Sequence, residues 1–247
     1  MRPALQAAGG CRMTTILQIL ASPRPHSFSR RIAREVTARL VTLNPGAEIV
    51  ERDLAVDPPP HPDLDFYEAI LSPVPDDDPR LSLSEQMIRE LEVADFVVIG
   101  TPMNNFSVPS TLKAWIDHIV RIRRTFRSLP EGKIGTLRDR PVFVISAHGG
   151  HMSGGYQPDF LTPYLRAIFE TIGIRQVEFL CADGLSRGPE AVAAALAHVQ
   201  SWIERRLPLS RFDTADSDAY RDGSSDIRSK QHVKTEQPGS PRQRRAL

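Results

Sequence analysis

The chain has 247 residues, 40% hydrophobic and 25% charged, enough apolar content for one core of ordinary domain size. Its 31 lysines and arginines nearly cancel its 30 aspartates and glutamates, so there is no electrostatic footprint for nucleic acid, and no apolar run reaches the roughly 20 residues of a membrane span. Two cysteines, Cys11 and Cys181, and an N-terminus lacking a signal-peptide core are what a reduced, cytoplasmic protein is expected to show.

Residues 1–12 read as a disordered leader ahead of a start at Met13. Thr14–Ala21 is a continuous apolar run that predicts a buried strand. A turn, SPRPHS, follows it, then a helix over 29–43 that Asn44-Pro45-Gly46 stops. Glu48–Arg52 is a short second strand. Residues 54–82 are proline-rich and acidic and read as an excursion from the core. A helix over 83–93 leads to a third strand, Phe96–Gly100, and Pro109 stands at the first turn of an amphipathic helix, where a missing N–H costs nothing. Val142–Ala147 is a fourth strand, residues 163–172 a helix, Gln176–Cys181 a fifth strand, and 190–206 an alanine-rich helix. Residues 208–247 have almost no apolar content, as expected of a disordered tail.

Five strands alternating with five helices predict an α/β fold, a parallel sheet covered on both faces with right-handed crossovers. In such sheets a ligand binds beyond the carboxyl ends of the strands, near the switch in strand order. Three loops lie at that edge. The first, Ser22 to Ser29 (SPRPHSFS), puts Ser22, Ser27 and Ser29 at a helix N-terminus, where hydroxyls and unsatisfied N–H groups favour an anion such as phosphate. The ordinary alternative is that Ser27 or Ser29 is simply the N-cap; three serines in eight residues exceed that need. The second, Pro102-Met103-Asn104-Asn105-Phe106, places apolar and amide side chains together, as a flat aromatic ligand with a polar rim would require. Its ordinary alternative is a turn whose Met103 and Phe106 fold back onto the core. The third, Ala147-His148-Gly149-Gly150-His151, offers unobstructed backbone N–H groups. Its two histidines lack further ligands at metal-site spacing.

Neither GxxxxGK[ST], nor GxGxxG after the first strand, nor GxSxG is present. A serine-rich phosphate loop with an apolar ring-binding turn suits a flavin mononucleotide better than the ligands of those motifs. On these residues the chain resembles the FMN-dependent NADH:quinone oxidoreductases, or azoreductases, of the flavodoxin-like superfamily, over about 14–207. SPRPHSFS stands at the family's phosphate loop, with Phe28 inside it, and Pro102–Phe106 at its Pro-Met-Tyr-Asn-Phe turn. Pro109, Leu112, Lys113, Trp115, Ile116 and Asp117 match the helix that follows, and Ala147–Gly150 a Ser-Arg-Gly-Gly type loop. The chain departs from the pattern in three places: Asn104 replaces a tyrosine, His148 an arginine, and Arg123-Arg124 stand where R-x-G-x-T-F usually has a glycine.

The resemblance implies a three-layer sandwich with strand order 2-1-3-4-5 and bound FMN. It implies NADH or NADPH as co-substrate, a quinone or azo compound as acceptor, and a homodimer that completes the acceptor pocket. It leaves no side chain to nominate as catalytic acid or base. A non-catalytic electron carrier or redox-sensing subunit is the alternative. Leu112, Trp115, Ile116 and Ile119 have the helical spacing of either an interface or a core stripe.

Overall fold

The structure, a computed structural model, describes residues 13–72, 78–150, 152 and 158–209. The leader 1–12, residues 73–77 of the excursion, His151 and the tail from 210 lie outside the described residues.

The central strand β1 (Thr15–Leu20) shows how the sequence builds the sheet. Alternate side chains point to opposite faces. Leu17 and Ile19 enter one apolar cluster, and Ile16 and Leu20 enter another. Strands β2 (Glu48–Asp53), β3 (Phe96–Pro102), β6 (Val142–Ala147) and β7 (Val177–Ala182) join it in a wholly parallel sheet, order β2-β1-β3-β6-β7. That is the expected 2-1-3-4-5 order, and the reversal of direction along the sheet falls between β1 and β3.

Helices α1 (Phe28–Leu43) and α6 (Pro189–Arg206) cover the face with Ile16, Val98 and Ile145. Helices α3 (Ser82–Val93), α4 (Ser110–Ile119) and α5 (Leu161–Ile172) cover the face with Leu17, Ile99 and Val144. Leu112, Trp115, Ile116 and Ile119 of α4 are all buried in that cluster, so their stripe belongs to the core. No helix among the described residues is long and apolar enough to cross a membrane.

Two elements depart from the sequence reading. Within 54–82 lie a helix, α2 (Leu64–Leu71), and a 3-10 turn at Pro79–Leu81. Asp63 caps α2 by accepting from the Phe66 N–H at 2.9 Å, and Phe66, Ala69 and Leu81 form a small core of their own. His118 of α4 reaches this segment, its Nε2 lying 3.0 Å from the Pro60 carbonyl. Between α4 and β6 a hairpin, β4 (Phe126–Leu129) and β5 (Gly132–Gly135), forms a separate two-stranded sheet. Its four-residue strands bury little, which left no apolar period to read.

Candidate functional site

The loop between β1 and α1 is fixed from three sides. The Ala21 N–H donates to the Gly100 carbonyl at 2.9 Å, tying it to β3. Arg30 donates through Nε to the Ser22 carbonyl at 2.7 Å and forms a two-pronged ion pair with Asp53 at the end of β2, at 2.5 and 2.6 Å. This pair holds the Asp53 carboxyl below the usual carboxylate range, through the Arg30 hydrogen bond first and against the opposing effect of burial.

Ser27 is the N-cap of α1, accepting from the Arg30 N–H at 3.4 Å. The Ser29 hydroxyl lies 3.4 Å from that of Ser27, and Ser22, Ser27 and Ser29 are all buried. One serine therefore does cap the helix, while two others remain beside the positive end of a sixteen-residue dipole.

Pro102–Phe106 divides between the two readings of that turn. Met103 packs on the core and donates its N–H to the Ala147 carbonyl at 3.2 Å. Phe106 instead is 43% exposed. Asn104 and Ser107 exchange both backbone hydrogen bonds at 2.9 Å around Asn105 (φ 48°) and Phe106 (φ 68°). Two successive left-handed residues make this a type I′-like turn. Asparagine tolerates that conformation, but a bulky aromatic residue rarely adopts it. Strain of this sort clusters at ligand-binding positions. The Phe106 carbonyl accepts from the Phe160 N–H at 3.1 Å, and Phe160, just before α5, is also exposed.

The loop after β6 is held by the loop after β7. The His148 N–H donates to the Ala182 carbonyl, Leu185 to His148, Ser186 to Gly149 and Gly184 to Gly150, at 2.8–3.3 Å. A Cβ on Gly149 would lie 2.4 Å from the Ser186 hydroxyl, so any other residue there would have to displace that side chain. His148 places Nε2 2.9 Å from the Cys181 sulfur.

A cleft of about 100 Å³ joins these pieces. Ser27, Phe28 and Ser29 line one side, Pro102, Ala147, His148 and Gly149 the other. Ser22, Met103, Asn104, Asn105, Phe106 and Gly150 are outside the cleft lining. Sequence reasoning missed Arg24, Leu185 and Ser186, which complete the walls. The signal for the last two was available. The loop after the fifth strand ends at the same sheet edge as the others.

Arg124 is bound by Glu85 and Glu92 of α3 at 2.6–3.1 Å, and Arg121 by Glu85 at 3.2 Å. Burial pushes Glu85 up, but hydrogen bonding to Arg124 and the surrounding guanidinium charges outweigh it and leave its carboxyl lowered. The arginine charge is thus neutralised within the scaffold.

A family model described as a flavodoxin-like fold matches residues 14–207. FMN-dependent NADH:quinone oxidoreductase 4 of Pseudomonas fluorescens is 45% identical over 192 residues, 76% of this chain and 93% of that relative. FMN-dependent NADH:quinone oxidoreductase 2 of Cupriavidus pinatubonensis is 45% identical over 197 residues, 77% of this chain and 96% of its own. This chain belongs to the FMN-dependent NADH:quinone oxidoreductase family. Among solved structures, an azoreductase from Bacillus anthracis shares the fold with a TM-score of 0.71 at 22% identity, covering 80% of this chain and all of that one. An FMN-dependent NADH-azoreductase of the same species, in complex with FMN, aligns with a TM-score of 0.65 at 24% identity over 78% of this chain and all of its own.

The family's glycine in R-x-G-x-T-F falls on Arg123, and Arg123 has φ 67°, a conformation glycine adopts freely. Here its guanidinium compensates by donating to the Ile70 and Ser72 carbonyls at the end of α2. The donor set at the β1–α1 loop fits the phosphate of FMN, combining buried hydroxyls with helix N–H groups. The exposed ring of Phe106 fits a flat apolar face.

Proposed function

We propose that this protein is an FMN-dependent NAD(P)H oxidoreductase that reduces quinones, and azo compounds, by two electrons in a ping-pong exchange at one site. The observation that carries the reading is the meeting of three loops at the switch point of the sheet. Buried serines at the start of α1 stand on one side of the cleft and the glycine loop on the other. Bound FMN supplies the two-electron redox chemistry that side chains lack.

In this reading Ser22, Ser27 and Ser29 bind the phosphate together with the first-turn N–H groups of α1. Phe28 walls the cleft on that side. Pro102 and Phe106 cover the ring, while Met103 supports the turn from the core side. The amides of Asn104 and Asn105, and the backbone of Ala147, His148, Gly149 and Gly150, meet the polar rim. There, N–H donors would stabilise charge on the ring. No side chain is assigned as a catalytic acid or base.

Residues 13–207 form the cofactor-binding domain, and the protein works in the cytoplasm as a homodimer. The family membership supports the dimer. So does an exposed apolar stripe, Leu64, Tyr67 and Leu71, at helical spacing on α2.

An absorbance spectrum taken after incubation with FMN and desalting, then after anaerobic addition of NADH and of NADPH, tests the reading. Retained flavin bands that bleach promptly are the expected result. Bands that persist with both nucleotides would favour an electron carrier, and absent bands would remove the cofactor assignment.

A further inference from the structure

Cys181 sits one residue from the end of β7, and its register partner on β6 is the buried Ser146. The Ser146 hydroxyl is hydrogen-bonded to the sulfur, which lies 2.9 Å from His148 Nε2. Burial, aided by Asp183 and Asp159 and opposed by the Ser146 hydrogen bond, pushes the Cys181 thiol up to about 11. The sulfur therefore keeps its proton at neutral pH.

That proton decides the direction of the contact. A thiol facing a ring nitrogen can donate S–H to it, and imidazole nitrogen is a far better acceptor than sulfur. The reverse arrangement would have Nε2–H donate to sulfur, a weak acceptor. An accepting Nε2 leaves the ring proton on Nδ1.

We infer that Cys181 is a positioning residue that fixes His148 in its Nδ1–H tautomer and holds the ring against the wall of the cleft. The chain Ser146, Cys181, His148 runs from β6 across β7 and back to the loop after β6, so two rigid strands set one loop side chain. Its consequence for the reaction rests on the proposed flavin site. The corner where the family usually has an arginine would present an oriented ring in place of a fixed charge. The tautomer itself does not depend on cofactor.

The test uses histidine-15N-labelled full-length protein without FMN at about pH 8, above the ordinary histidine value of roughly 6.5. Long-range proton–nitrogen correlation spectra report which ring nitrogen carries the proton, and His148 is assigned by the loss of its signals in His148→Gln. The wild type is expected to show a protonated Nδ1 and an accepting Nε2. Cys181→Ser, which keeps a donor, should preserve that pattern, and Cys181→Ala should lose it. Cys181→Val, which fills the space without a donor, replaces the alanine variant if that one fails to fold. A wild-type ring protonated at Nε2, or an unchanged pattern in the donorless variant, would overturn the assignment. An FMN titration of the same samples bears only on the cofactor reading, so the two failures are distinguishable.

Discussion

A Cβ built on Gly100 would lie 2.7 Å from the Ser29 carbonyl oxygen and 2.8 Å from the Ala33 Cβ. Strand β3 and the first turn of α1 therefore touch backbone to backbone at this point. That contact lets the serine loop sit against the sheet edge, where the Ala21 N–H also meets the Gly100 carbonyl. Gly100→Ala must push α1 away from the sheet. It should destabilise the protein by about 1–3 kcal/mol, as overpacking does, and weaken FMN binding several-fold by displacing the serines. Urea unfolding and flavin fluorescence titration measure the two effects. An undiminished flavin affinity would remove this contact from the construction of the site.

Phe106 separates stability from binding. At φ 68° a non-glycine residue costs about 1–2 kcal/mol in conformation, and the ring is 43% exposed, so its burial returns little. Phe106→Gly should therefore leave stability unchanged or raise it by up to about 1 kcal/mol, while FMN affinity falls. Phe106→Ala should lose the same affinity without the conformational relief. Denaturation midpoints and flavin retention after desalting check both variants. A Phe106→Gly protein that holds flavin as firmly as wild type would contradict the covering role.

The sheet was legible because β1 alternates between two buried faces, and because Asn44-Pro45-Gly46 and Pro109 punctuate the helices at 43 and 110. The three site loops were legible because each follows an apolar run that ends at the same edge. Other features are not written locally. The left-handed backbone at Phe106 and Arg123 is imposed by surroundings, and neither residue type announces it. Arg124 pairs with glutamates 32 and 39 positions away, which no short-range pattern reveals. Helix α2 was hidden by the prolines on either side of it, although Asp63 followed by Leu64 and Phe66 carries an N-cap signature.

The Arg30–Asp53 pair predicts a pH dependence. Asp53 has a lowered value in the folded protein, so the stability it contributes is full above the ordinary carboxylate range near about pH 4. That stability is lost as the pH falls through the folded value. Asp53→Asn leaves the buried Arg30 charge without its partner and should cost on the order of 3 kcal/mol at neutral pH. Urea unfolding of both proteins at a series of pH values should show this difference shrinking as acid protonates Asp53 in the wild type. A difference that stays constant down to about pH 2 would assign the loss to packing instead.

Arg123 combines a conformational cost with a compensating contact, and two substitutions separate them. Arg123→Ala keeps the left-handed backbone and removes the hydrogen bonds to the Ile70 and Ser72 carbonyls. Arg123→Gly removes both the contact and the cost, and should be more stable than the alanine variant by about 1 kcal/mol. In each variant the last turn of α2 loses its guanidinium cap, so amide exchange at residues 68–72 should quicken relative to wild type while β1 stays protected. Equal stability of the two variants would show that the backbone at 123 relaxes once the arginine is gone. Unchanged exchange in α2 would show that its C-terminus is held by Phe66 and Ala69 packing alone.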